Sequence, residues 1–217
     1  MIHIVGMSTD IETAAIGEDG DDAARRSIGA RRNPASQEAI LDAAEALLRE
    51  NGIAGFSIEA VARRARAGKP TIYRWWPHRT ALMLDVYKRF KNAKDFPDTG
   101  SLRGDLLSFL ENHLLGFWSG SLCGTVYRAV VAEAQTDSAA AELLLAYQHG
   151  RKTHAVRIVD RAKARGEVPE NTDAALIIDL VVSYAWHQLL LGQLEAAMGK
   201  APNVVDTILR GIDGYQG

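Results

Sequence analysis

Apolar residues recur at helical spacing through most of the chain, and the breaks between the stripes are marked by capping and turn residues. Asn33 followed by Pro34 reads as an N-cap and first helical position, and Asn51-Gly52 as a stop, so the first predicted helix runs from about Pro34 to Glu50. Its buried stripe is Ile40, Ala44, Leu47 and Leu48. Ser57 caps a second helix whose inward face is Ile58, Val61, Ala62 and Ala65, and Ala67-Gly68 breaks it. A third, short helix follows, with Gly68 as N-cap and Pro70 tolerated in the first turn, where its missing N–H would be unpaired anyway. Phe56, Ile72 and Trp76 are placed to close a three-helix core. Beyond Pro77, the stripe Leu82, Met83, Val86, Tyr87 and Phe90 predicts a fourth helix to about Lys94.

Phe96-Pro97-Asp98-Thr99-Gly100 is a turn-rich break and a domain boundary on this reading. After it come predicted helices from Ser101 to about Trp118, from about Gly124 to Gln135, and from Ser138 to Arg165 with a bend at Gly150. A further helix from Asp173 to about Met198 stops at Gly199, and a last one runs from Asn203 to Ile212. No stretch of alternating β-branched residues argues for a sheet, so the fold class is all-α. The expected organisation is a tail over 1–33, a first helical domain with its connecting helix over 34–94, and a second helical domain over 101–217, the latter two read below as the helix-turn-helix domain and the effector-binding and dimerisation domain. The tail is rich in Asp, Glu, Gly and Ser without an apolar stripe and is expected to be disordered. Its Arg25, Arg26, Arg31 and Arg32 read either as a solvated linker or as an arm for a minor groove, and Met7 is a second candidate start.

Composition changes this picture little: 47% hydrophobic and 24% charged over 217 residues describes an ordinary globular protein. Cys123 is the single cysteine, which excludes an intrachain disulfide and a Cys-rich zinc site. His149 and His154 have no matched carboxylate or cysteine, so neither a metal nor a cofactor is expected. The N-terminus lacks a signal-peptide pattern, and a cytoplasmic location is expected.

Charge changes the picture more. Between Arg63 and Lys94 there are ten Lys or Arg against the single acid Asp85, a local net of +9 in a chain whose formal net charge is −2. A positive field concentrated in one segment suits phosphate binding. The two helices joined across Ala67-Gly68 suggest a helix-turn-helix, and double-stranded DNA is the partner this predicts. On the third helix, Lys69, Pro70, Thr71 and Arg74 share a face suited to a major groove, while Ile72 and Trp76 point inward. Arg74 is the leading base reader, because a guanidinium pairs bidentately with guanine. Thr71 suits a thymine methyl or a phosphate.

The run from about Ala39 to Tyr87 resembles the TetR family of transcriptional regulators. The residues carrying the resemblance are Ala43-Ala44, Phe56, Val61-Ala62, Ala65, then Pro70-Thr71-Ile72-Tyr73-Arg74-Trp75-Trp76-Pro77 and Ala81-Leu82. The resemblance implies that Tyr73 is a phosphate ligand through its hydroxyl, that Trp75 neighbours the DNA backbone, that Arg79 is a second phosphate clamp, and that Ser57 belongs to the DNA-contacting set. It also implies a ligand-responsive repressor that binds a palindromic operator as a homodimer, with a small-molecule effector. Three departures stand out: Arg66 where the family's turn has Gly, Gly68 and His78 at N-caps that are commonly Ser, and Arg79 in place of Lys.

In the second half, Phe109, His113, Phe117, Tyr127, Tyr147 and Trp186 are candidates to line an effector pocket. The helix from Asp173 is apolar on most faces, which suits burial against a partner subunit. Asp179, Ser183 and His187 on it, with Val205, Ile208 and Leu209 on the last helix, are the candidate dimer interface. The run is interrupted too early for a membrane span. A helical ligand-binding or scaffolding dimer with a decayed helix-turn-helix remains the alternative. An enzyme is not expected, because no nucleophile–base pair, metal set or phosphate loop is present.

Overall fold

The computed structural model describes residues 34–91 and 96–212. The expectations for residues 1–33, for the Asn33 cap and for the end of the fourth helix at Lys94 lie outside them. Among the described residues every regular element is helical.

Helix α1, Pro34–Asn51, buries Ile40, Leu41, Ala43, Ala44, Leu47 and Leu48 on one face. Helix α2, Ile58–Ala65, starts where Ser57 Oγ accepts a hydrogen bond from the Ala60 N–H at 3.1 Å. It stops at Arg66, which adopts a left-handed backbone (φ 52, ψ 36) and sends its N–H to the Ala62 carbonyl. Helix α3, Lys69–Trp75, carries Pro70 in its first turn and buries Ile72. Helix α4, Arg79–Lys91, contributes Leu82, Met83, Leu84, Val86 and Tyr87 to the core. Phe56, Ile72 and Trp76 are all essentially inaccessible, and they join these faces into one apolar centre. A left-handed conformation at a residue with a Cβ costs about 1 kcal/mol. Arg66→Gly is therefore expected to raise stability by about 1 kcal/mol, read as a melting-temperature increase of about 2–4 °C for a chain of this size. An unchanged midpoint would show that the Arg66 side chain offsets the strain.

Helix α5, Leu102–Ser108, is capped by Ser101, whose Oγ accepts from the Gly104 N–H at 3.1 Å. It runs on through a π-helical stretch, Phe109–Leu115, into a last turn, Gly116–Trp118. Helix α6, Leu122–Glu133, begins earlier than its sequence suggests because Ser121 Oγ caps it on the Gly124 N–H. Gly124 is required there: a Cβ would lie 2.1 Å from the Trp118 carbonyl oxygen. Asp137 caps α7, Ser138–Ala155, through the N–H groups of Ala139 and Ala140.

The single long helix expected to Arg165 is divided at Val156, not bent at Gly150. The Val159 N–H turns to the Val156 carbonyl at 3.0 Å, tightening one turn before α8, Arg157–Ala164, continues. Likewise the helix expected to reach Met198 ends at Leu191. Helix α9, Ala174–Leu191, is closed by Gly192 in a left-handed conformation (φ 69), and the Gln193 N–H returns to the Gln188 carbonyl at 2.9 Å. A short α10, Leu194–Met198, follows, and α11, Ala201–Arg210, takes Pro202 into its first turn.

From Glu38 onward the described helices pack together as one unit. Within it α4 lies along α6, the π-helical stretch packs on α9, and α5 sits between α8 and α11.

Candidate nucleic-acid interface and effector cavity

Helix α3 is held from one side only. Ile72 is fully buried, and Trp76, at its C-cap, is fixed by a 2.8 Å hydrogen bond from its indole Nε1 to Asp85 Oδ2 on α4 and by an edge contact with Trp75 at 5.5 Å. On the opposite side Lys69, Pro70, Tyr73 and Arg74 are exposed and Thr71 is half-buried. Lys69 reaches back to Glu59 at 3.0 Å, an exposed pair that lowers the Glu59 carboxyl pKa through the hydrogen bond from Lys69.

The charge around this helix is narrower than the residue count predicts. Arg64 is paired with Glu50 through two contacts at 2.5 and 2.7 Å, an exposed pair whose hydrogen bonds hold Glu50 below its ordinary value. Arg89 is surrounded by three acids of α1: Asp42 at 2.7 Å, Glu38 at 3.0 Å and Glu45 at 3.7 Å. Lys88 is 3.0 Å from Asp85. Arg63, Arg66 and Arg74 are exposed on α2, in the turn and on α3, beside the Lys69–Glu59 pair.

Arg79, named above as a second phosphate clamp, is half-exposed and already paired within the chain. Its Nε is 2.7 Å from Glu133 Oε1 at the end of α6, its Nη2 donates to the same oxygen, and Thr80 Oγ1 donates to Glu133 Oε2. The carboxylate thus sits at the N-terminal end of α4, where it suits the helix dipole. This supplies what His78 does not, since His78 Nδ1 is buried without a hydrogen-bond partner. Ser57 is spent on capping α2, and Trp75 is half-buried against the core.

A second site lies between α4, the π-helical stretch, α7 and α9: a cavity of about 300 Å³. Its inner wall is a cluster of rings. Tyr87 stacks on Tyr127 at 4.8 Å and Trp118 lies near-parallel to Tyr127 at 5.3 Å, while Trp186 meets Tyr127 edge-on at 5.8 Å. Trp118 Nε1 donates to the Tyr87 hydroxyl at 3.0 Å, and Gln148 Nε2 donates to the Tyr127 hydroxyl. Burial pushes the Tyr87 and Tyr127 phenols well above their ordinary range and the Tyr147 phenol up to about 12, so all three stay neutral. Lys91 is buried on the same wall. Its Nζ donates to the His113 carbonyl and lies 4.2 Å from the centre of the Phe117 ring.

Two segments of the chain match known families: residues 40–86 match the bacterial regulatory proteins, tetR family, and residues 96–208 match the Tetracyclin repressor-like, C-terminal domain. The chain belongs to the TetR family. It is a DNA-binding transcriptional regulator of helix-turn-helix type. Among TetR-type relatives, it is 29% identical over 188 residues to the uncharacterized HTH-type transcriptional regulator YdeS of Bacillus subtilis (85% of this chain, 93% of the relative). It is 30% identical over 166 residues to the DNA-binding transcriptional repressor TetR of Mycobacteroides abscessus (74% and 85%). The crystal structure of the TetR family transcription regulator SCO0332 superposes with a TM-score of 0.69 at 25% identity, covering 82% of this chain and 98% of that one.

In this TetR-family fold the six aromatics and histidines named from sequence divide. Phe109, Tyr127, Tyr147 and Trp186 line the cavity; His113 and Phe117 stand behind the wall, His113 stacked on Phe96 at 6.2 Å and Phe117 under Lys91. Tyr87, Trp118 and Arg151 line it as well and carried no such reading, because helical spacing does not tell a wall from its backing. Of the residues named for a dimer interface, Ser183 and His187 are exposed and Ile208 is half-buried. Val205 and Leu209 are buried inside their own chain, where they fix α11 and are out of reach of a second copy. Asp179 pairs with Lys152 at 2.5 Å at the mouth of the cavity.

Proposed function

We propose that this regulator is a ligand-responsive repressor, not an enzyme, whose residues 34–94 read DNA and whose residues 101–217 bind an effector and pair two copies over a palindromic operator. The observation that carries the reading is the one-sided anchoring of α3. Ile72 and Trp76 are sunk in the core, and Tyr73 and Arg74 are left outward on the face a major groove would meet. Repression is inferred from the Mycobacteroides abscessus relative, a DNA-binding transcriptional repressor.

Pairing is supported by an outward apolar face. Leu176 and Leu180 on α9 are exposed, and half-buried Tyr184, Val204 and Ile208 continue the face across to α11. By length and composition α9 passes as a membrane span. Its Val181, Ala185 and Leu189 nevertheless sit in the core of the helical bundle, which leaves one stripe to cover, as an isologous helical interface does. An effector that prefers one spacing of the two α3 helices shifts the population by its differential affinity.

The test is to sequence genomic DNA fragments retained by the purified full chain. Inverted half-sites about one helical turn apart are expected. Tyr73→Phe is expected to weaken binding to all sequences by about tenfold, as loss of a hydrogen bond to a charged oxygen does. Arg74→Ala is expected instead to broaden the retained sequence at one position of each half-site. Retention without any shared sequence, or without salt dependence, would remove the reading.

A further inference from the structure

We infer that the cavity between α4, α7 and α9 takes a flat aromatic anion, its rings packed among Tyr87, Trp118, Tyr127, Tyr147 and Trp186 and its charge met by Arg151. The inference rests on the ligand-responsive reading above and names the chemical class of the ligand.

The walls set the shape. Tyr87, Tyr127 and Trp118 lie within 18° of parallel in successive pairs, and Tyr147 and Trp186 stand at 67° and 78° to Tyr127, 6.2 and 5.8 Å from it, so the cavity is lined by rings in two steeply crossed orientations. Rings prefer such offset-stacked and edge-to-face partners. A volume of about 300 Å³ is at the small end for ligand sites and is enough for a fused aromatic system.

The charges set the sign. The charged residues lining the cavity are Lys91, Arg151, Lys152 and Asp179. Lys152 and Asp179 pair with each other at 2.5 Å. Lys91 is committed to the His113 carbonyl and to the Phe117 ring. Arg151 differs: its guanidinium lies 4.7 Å over the Phe96 ring, and among the described residues it forms no ion pair with a carboxylate. Its charge acts on the hydroxyls of Tyr127 and Tyr147, drawing both phenols back toward ionisation against the larger effect of burial. A guanidinium stacked on a ring keeps its edge N–H groups for a carboxylate, and beside neutral phenols that bond is charge-assisted and partly desolvated.

The test is calorimetric titration of the full chain with 2-naphthoate, its neutral isostere 2-naphthamide, 2-naphthylmethylammonium and palmitate. The naphthoate is expected to bind at least about tenfold more tightly than the amide, and the ammonium more weakly still. In Arg151→Gln, with its thermal unfolding followed to confirm a folded chain, the naphthoate is expected to fall to the affinity of the amide, which itself stays unchanged. Equal affinities across the naphthyl series, tighter binding of palmitate, no binding of any naphthyl probe, or a preference that survives in Arg151→Gln would each overturn the inference. Because the titrations contain no DNA, these outcomes separate from the DNA-retention test. A chain that retains no DNA but discriminates the naphthoate keeps the cavity assignment and loses the repressor, and the reverse pattern does the opposite.

Discussion

Trp76→Ala is expected to destabilise the protein by about 3–5 kcal/mol and to abolish specific DNA binding with it. Trp76 is 2% exposed, closes α3 through its N–H to the Ile72 carbonyl at 2.8 Å, and holds α4 through the indole bond to Asp85. Removing the ring opens a cavity between α3 and α4 that helices this short cannot refill. It also takes away the contact that fixes which way Tyr73 and Arg74 point. Trp76→Phe separates the two effects. It keeps most of the ring and loses only the N–H donor, and Asp85 retains Lys88 at 3.0 Å, so about 1 kcal/mol is expected. Denaturant midpoints for both variants, followed by binding to a selected operator fragment, check this. A Trp76→Ala protein within a few tenths of a kcal/mol of the parent would show that α3 is held by something else.

Asp105→Ala is the second large effect, about 3 kcal/mol of stability, at a residue that lines neither site. Asp105 is fully buried near the start of α5. Its Oδ1 accepts from the Thr99 N–H at 2.5 Å and from the Thr99 hydroxyl at 2.8 Å, and its Oδ2 lies 3.3 Å from Arg161 Nη2 on α8. Arg161 in turn donates to the Pro97 carbonyl and sits 3.5 Å from Asp98. Without the carboxylate, the partly buried Arg161 guanidinium loses one acceptor, the Thr99 N–H and hydroxyl lose theirs, and the 97–99 segment comes loose from α5 and α8. Asp105→Asn, which keeps one acceptor oxygen, is expected to recover part of the loss. A melting temperature unchanged in the alanine variant would sink this account.

Much of α1 to α4 was legible because their apolar stripes keep helical spacing and most of their ends are marked by a residue with a local job. Ser57 caps, Arg66 ends, Pro70 opens, and the apolar spacing between them needs no knowledge of the rest of the chain. Glu133 was not legible, since nothing near Arg79 announces an acid that arrives from the far end of α6. The same blindness exaggerated the basic segment: Glu38, Asp42, Glu45 and Glu50 of α1 and Glu133 of α6 neutralise charges that a count over neighbouring residues leaves standing. In the second half the stripes marked helices but not their interruptions. Gly192 ends α9 by its left-handed backbone, and Val156 divides the α7–α8 run by one tightened turn. The π-helical stretch carries no marker in its residues at all, yet it sets Phe109 and Leu114 in the cavity wall and leaves His113 and Phe117 outside it. Arg151 went unremarked as one more basic residue on a polar helix, and only the fold puts it over Phe96.

The grip of Glu133 on Arg79 and Thr80 has a mechanical side. Six residues before Glu133, on the same rod, Tyr127 is the ring that the others meet, about 9 Å away along the axis. Helix α4 meets that rod twice, at its first turn through Arg79 and Thr80 and two turns later through the stack of Tyr87 on Tyr127. Two attachment points fix a line where one would leave a pivot. The helix that leads out of the DNA-reading unit and the helix that walls the cavity are therefore held against sliding or swivelling past each other while both contacts hold.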